Sequence, residues 1–173
     1  FALIGSVLYL LGVALIYGGY ATLDIAALRE LLRDDATTAI AVGLMIAGLM
    51  AKTAVFPLHI WLPPAHSGAP APASAILSAL VIKAPFFIIL RLWFDLLPAN
   101  SVAAGQFLAA VGCVSILFCS VLALRQSRLK LMIAYSTVAQ VGYLFLTFAV
   151  VGHESPWTSP GWSGGILQLM SHA

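Results

Sequence analysis

The chain has 173 residues, of which 62% are hydrophobic and only 8% charged, whereas a soluble domain is roughly half apolar and about one quarter charged. Its net charge of +2, from eight Lys and Arg against six Asp and Glu, is too small and too scattered to grip nucleic acid. A soluble nucleic-acid binder and a cytosolic hydrolase are excluded. A polytopic membrane protein remains, because the uncharged runs reach the ~20 residues that a helix needs to cross the hydrocarbon core.

In chain order, the uncharged stretches predict an all-α transmembrane bundle with spans at 1–19, 36–56, 74–97, 102–124 and 131–151, and a sixth from 161 to 173. Phe1 already lies inside an apolar run, and Ala173 follows soon after another has begun, so the chain reads as a single-domain piece of a longer protein. The first span has no basic leader and no small-residue cleavage site, which makes it an internal span rather than a signal peptide. The links at 24–35, 98–101, 125–130 and 152–160 are short and polar, so successive helices are expected to be antiparallel neighbours. Tyr17, Tyr20, Trp93 and Trp157 near the ends suit the interfacial aromatic belt. Arg125, Arg128 and Lys130 share a link without an acid, which places it on the cytoplasmic side. The link holding Arg29, Glu30, Arg33, Asp34 and Asp35 then lies outside. Cys113 and Cys119, six residues apart on one predicted helix, are about 9 Å apart and beyond disulfide reach.

The segment 57–73 stands apart, since five of the nine prolines fall in it, at 57, 63, 64, 70 and 72. Each removes an amide donor and crowds the preceding turn, so the second span is expected to break near Pro57 and continue as irregular chain or a half-helix. Broken backbone at membrane depth is tolerated where it is buried in protein or lines a wet cavity.

Lys52 lies just before this break and is the only charge between Asp35 and Lys83, while Lys83 falls about ten residues into the third span. An intramembrane lysine costs roughly 2.5–3.5 kcal/mol on insertion scales, so function is the default reading. Desolvation also eases release of its proton. The alternatives are snorkelling to an interface and permanent pairing with an acid. Pro85 withholds a donor from the Val81 carbonyl, one turn from Lys83, which either presents a polar acceptor or merely kinks the helix. Arg91 and Asp95 are spaced i,i+4 and are expected to pair as an interfacial anchor.

His59 and His66 in the broken segment either relay protons or hold that segment together, and His172, inside the sixth span, favours transfer. The spacing of His59 and His66 has no recognised metal-ligand pattern. On the fifth span Ser136, Gln140, Tyr143 and Thr147 recur at i, i+4, i+7 and i+11 and share one face, which should meet partners or water rather than lipid. No cofactor fingerprint, metal-ligand cluster or phosphate loop is present, so no redox or hydrolytic centre is assigned.

The stretch from Lys52 to Lys83, KTAVFPLHIWLPPAHSGAPAPASAILSALVIK, resembles the antiporter-like proton-channel subunits of respiratory complex I, membrane-bound hydrogenases and Mrp cation/proton antiporters. The stretches LKLMIAYSTVAQVGY and GGILQLMSHA extend the resemblance along the chain. It implies helices six to eleven of a roughly fourteen-helix subunit built from two inverted repeats. It also implies that Lys52, Lys83 and His172 match proton-carrying positions, with His59, His66, Pro57, Pro85, Ser136, Gln140 and Tyr143 in support. Arg128 stands where many members have an acid and Gln140 where some have His, so protons would pass Gln140 through water.

The resulting expectation is proton translocation in a complex I-type (NADH:quinone oxidoreductase or related) assembly through buried Lys, His and water. An Mrp-type sodium/proton antiporter subunit and a non-conducting scaffold are the alternatives. The expected partners are other membrane subunits, lipid and protons, with sodium as the other coupling ion, and the expected location is a prokaryotic plasma membrane.

Overall fold

The computed structural model describes residues 2–96, 102–150 and 160–172. Helix α1 (Ala2–Tyr20) is followed by a short α2 (Ile25–Leu31) and by α3 (Ala36–Lys52). A 3₁₀ turn (Leu58–Trp61) then leads into α4 (Leu62–Gly68). Next, α5 (Ala71–Ile76) continues through a π turn (Leu77–Val81) into α6 (Lys83–Leu96). The remaining helices are α7 (Val102–Leu124), α8 (Leu129–Val150) and α9 (Pro160–Ser171). Among the described residues there is no β-strand. Among the described residues, four helical stretches are long and apolar enough to cross a membrane: Leu3–Tyr20, Ala71–Leu96, Val102–Leu124 and Leu129–Ala149.

Close backbone approach builds the two main seams, because between membrane helices van der Waals contact takes the place of hydrophobic exclusion. On α3, Gly48 lets α1 come so near that a Cβ there would stand 2.7 Å from the Tyr9 amide nitrogen. On α8, a Cβ at Gly142 would stand 2.7 Å from the Gly112 carbonyl oxygen of α7. Around the second seam Phe86, Trp93, Phe145 and Phe148 pack as tilted and edge-on rings, with Trp93 and Phe148 centred 5.0 Å apart. Trp93 is therefore a core residue, 2% exposed, and not the interfacial anchor its position near a helix end suggests. Trp157, and most of the links at 98–101 and 152–160, lie outside the described residues.

The link at 24–35 holds α2, which the sequence reading leaves as loop. Asp24 caps it by accepting from the Ala26 amide at 3.0 Å, and Leu28 is buried. Seven residues are too few to form a stable helix alone, so tertiary contact on α6 sustains it. Tyr20 ties this end together, its hydroxyl sharing a 2.6 Å hydrogen bond with that of Thr38 and accepting from the Arg33 amide at 3.0 Å.

Candidate functional site

The break sets the geometry of the centre. Helix α3 ends at Lys52, four residues before the boundary read from the sequence at 56. What stops it is Ala54, fully buried at φ 56°, a left-handed conformation that costs a residue with a Cβ roughly 1–2 kcal/mol. Several of the freed backbone groups nonetheless find partners. The Ala51 carbonyl accepts from the Trp61 indole Nε1 at 2.8 Å, the Met50 carbonyl from the Thr53 hydroxyl at 2.9 Å, and the Phe56 amide donates to the Ser115 hydroxyl at 3.3 Å. Ser115, wholly buried, donates in turn to the Val138 carbonyl of α8 at 3.4 Å.

Beyond the break the chain is more regular than its prolines suggest. Pro63 and Pro64 open α4, and Pro70 and Pro72 flank the start of α5. At a helix start the missing amide has no intrahelical acceptor to lose, and the fixed φ is already helical. Of the two continuations expected across 57–73, irregular chain or a half-helix, the structure has the helical one, in the short pieces Leu58–Trp61 and α4. The segment is fastened from outside: the Lys130 ammonium donates to the Ala69 carbonyl at 2.8 Å, and the Ser74 hydroxyl to the His66 carbonyl at 3.2 Å.

Among the described residues, the buried side-chain nitrogens without a hydrogen-bond partner are His59 Nδ1, His66 Nε2, Lys83 Nζ and His172 Nε2. These belong to four of the residues singled out from the sequence. His59 sits among the rings of Phe56, Phe118 and Tyr135, at centroid separations of 5.5, 6.1 and 6.2 Å. His66 is 2% exposed on α4. Lys83 is 7% exposed at the first position of α6, directly after the π turn and two residues before Pro85. Lys52 is half-buried at the end of α3, its stem near Gly5 of α1. Arg91 Nε and Asp95 Oδ2 pair at 3.2 Å on the exposed side of α6, as their spacing predicts.

The polar face of α8 lines two cavities. A cavity of about 600 Å³ is bordered by Ser78, Ser136, Thr137, Gln140, Tyr143 and His172, and reaches Leu124 at the end of α7. A second, of about 250 Å³, is bordered by Tyr143, Thr147, Gly161, Gly165 and Gln168. Between them Gln168 Nε2 of α9 donates to Gln140 Oε1 of α8. The Ser78 hydroxyl meets that of Thr137 at 3.1 Å. Because Thr137 already donates to the Ile133 carbonyl at 2.8 Å, Ser78 must be the donor, and the pair fastens the π turn to α8.

Ser78, Ser115, Thr137 and Gln168 are missing from the sequence-based site. Gln168 could have been found, since it lies one turn before His172 on the same helix face. Thr137 sits one position off the recognised stripe, and Ser115 is one of two serines in an apolar run. Only the fold reveals what they touch.

Long apolar helices, glycine-packed seams and polar groups buried among them define a multi-pass membrane protein. The chain belongs to the NADH:quinone oxidoreductase/Mrp antiporter transmembrane family, whose model matches residues 1–173. NADH-quinone oxidoreductase subunit N of Desulforudis audaxviator is 38% identical over 170 residues, covering 95% of this chain and 33% of the relative. Hydrogenase-4 component B of Escherichia coli is 34% identical over 176 residues, covering 98% and 26%. The fold matches a chain of the membrane-bound sulfane sulfur reductase, an archaeal respiratory membrane complex, with a TM-score of 0.87 and 33% identity over 99% of this chain and 34% of the other. It also matches a chain of the Mrp complex from a Dietzia species, with a TM-score of 0.85 and 28% identity over 99% and 31%. The chain thus spans about a third of the length of these relatives. The relatives are named as subunits, components or chains of larger complexes.

Proposed function

We propose that this chain forms the middle of a proton path in a complex I-type respiratory membrane complex of a prokaryotic plasma membrane, with Lys52, Lys83 and His172 as successive carriers. The observation that carries this reading is that Lys83 Nζ and His172 Nε2 are both buried without a hydrogen-bond partner. A permanent charge without partners would be costly there. A group that takes up a proton and passes it on needs no fixed partner. In this mechanism a proton reaches Lys52, moves through water to Lys83 and then to His172, while partner subunits drive the cycle by changing the charge beside Lys52. His59, His66, Ser136 and Tyr143 support the path by holding the break and lining the cavity, and Pro57 and Pro85 by shaping its backbone.

The test is driven proton pumping in sealed vesicles containing the full-length complex, comparing wild type with Lys83→Ala at matched assembly and matched turnover. Pumping should fall at least about tenfold, the change given by ~1.4 kcal/mol of barrier. Unchanged pumping in the assembled complex would make Lys83 structural and favour a scaffold. The likeness to the Mrp complex chain supports a second reading, a sodium/proton antiporter subunit. Proton movement that requires sodium on the opposite side of the vesicle would select it.

A further inference from the structure

An open groove of about 710 Å³ runs between α3 and the ends of α6 and α7, and it joins a charged end to an apolar floor. Helix α3 lines it from Asp35 to Met50, about 22 Å at 1.5 Å per residue. That length exceeds half of the ~30 Å hydrocarbon core, the share of one leaflet. The apolar part is formed by Val42, Gly43, Ile46 and Ala47 of α3 with Trp93 of α6 and Phe107 of α7. Gly43 leaves room there, since a Cβ at this position would meet no heavy atom within 4 Å. The charged end holds Arg29, Arg33, Asp34, Asp35 and Asp95. Two of its carboxylates are engaged: Asp35 accepts from the Thr38 amide at 2.7 Å, and Asp95 pairs with Arg91. Among the described residues, the side chains of Arg29, Arg33 and Asp34 have no hydrogen-bonded or ion-paired partner.

We propose that this groove is a binding site for one phospholipid of the ethanolamine type, its acyl chain along α3 and its headgroup among Arg29, Arg33 and Asp34. Guanidinium forks match phosphate oxygens in charge and geometry, so Arg29 and Arg33 take the phosphate. Asp34 accepts from the primary ammonium, which has three N–H donors where a quaternary choline has none. An anionic headgroup satisfies the arginines but brings no partner for Asp34, and it adds negative charge beside Asp35 and Asp95. A purely apolar occupant, such as the face of another helix, uses the floor but neither sign of charge at the end. Charged pockets between membrane helices that meet a headgroup at the surface are a known physical basis of lipid selection. The inference concerns the lipid-facing side of the fold and does not rest on the proton path.

Photolabelling tests the site. The full-length subunit in its complex is reconstituted in phosphatidylcholine vesicles with a trace of a lipid carrying a diazirine in one acyl chain, and crosslinked peptides are located by mass spectrometry. Three probes share that chain and differ in headgroup: ethanolamine, choline or glycerol. The ethanolamine probe should label the 42–50 and 104–108 stretches about tenfold more than the other two. Arg29→Ala combined with Arg33→Ala should cut this labelling about tenfold, and Asp34→Ala should erase the preference over the choline probe. Gly43→Leu puts a side chain into the groove from a position where a Cβ meets nothing, so it should cut the labelling in normally assembled complex. Absence of label here in the assembled wild type overturns the site, as it would if another helix of the longer protein filled the groove. Equal labelling by the three probes, or full labelling in the double arginine variant or in Gly43→Leu, overturns it as well.

Discussion

Helix α8 is packed in opposite ways on two of its faces. Against α7 it is dry: Gly142 and Gly112 bring the backbones together, and Val138, Val141 and Phe145 are each 1% exposed or less. Elsewhere it is polar, with Ser136, Gln140 and Tyr143 bordering an open space that Ser120 and His172 also border and, among the described residues, an amide bridge from Gln140 to Gln168 of α9. A dry glycine seam has little room to adjust, because interiors close-packed to this degree transmit strain rather than absorb it. A polar seam can change its hydration and side-chain positions at small cost. The contrast gives the close-packed face of α8 the part of framework and leaves the polar face to the proposed proton path.

The most damaging way to break this contrast is Gly142→Val. Its Cβ would stand 2.7 Å from the Gly112 carbonyl oxygen and 2.9 Å from Ile116 Cγ1, and neither backbone can retreat without parting the seam. Overpacking of this kind costs about 3 kcal/mol or more, so the variant should fail to assemble, measured as the fraction of subunit recovered in the intact complex. Normal recovery would show that α7 and α8 can separate freely and that the dry face is no framework.

Ser115→Ala should have the next largest effect. The Ser115 hydroxyl joins α7, the break at Phe56 and α8 at Val138. Its loss leaves the Phe56 amide without an acceptor inside protein, at a cost of about 1–3 kcal/mol. The expected result is a lower thermal midpoint of the complex in detergent at normal recovery, with Ser115→Thr losing less. An unchanged midpoint for Ser115→Ala would mean that the break is held elsewhere, at Trp61 or Lys130.

The sequence made the bundle legible because hydropathy runs of membrane length leave few alternatives, and the 102–124 span coincides with α7. It could not show α2, whose seven residues hide among charges, or the stop at Ala54, since no composition rule assigns a left-handed φ to alanine. Proline density marked the break before Pro57 but not which of the two continuations follows, because that depends on each proline's place in a turn and not on how many there are. Buried polar residues stood out since an ammonium or imidazole in an apolar run is conspicuous, and the structure leaves nitrogens of His59, His66, Lys83 and His172 without hydrogen-bond partners. Pairings were illegible. Gln140 with Gln168, Ser78 with Thr137, and Ser115 with Phe56 each join distant residues, and only the packing of helices brings them together.

The smallest effect is expected where the polar seam is tested with the mildest change, Gly164→Ala. A Cβ there meets no heavy atom within 4 Å, unlike the one at Gly142. Glycine inside a helix is less favourable than alanine by roughly 0.5–1 kcal/mol, so with nothing to collide with, the substitution should leave the thermal midpoint of the assembled complex unchanged or slightly raised. A clear drop would mean that α9 is pressed at this point by another helix of the complex, and that the α8–α9 side is framework too. Set beside Gly142→Ala, the substitution measures the same added carbon on both sides of α8, and the difference between them sizes the contrast directly.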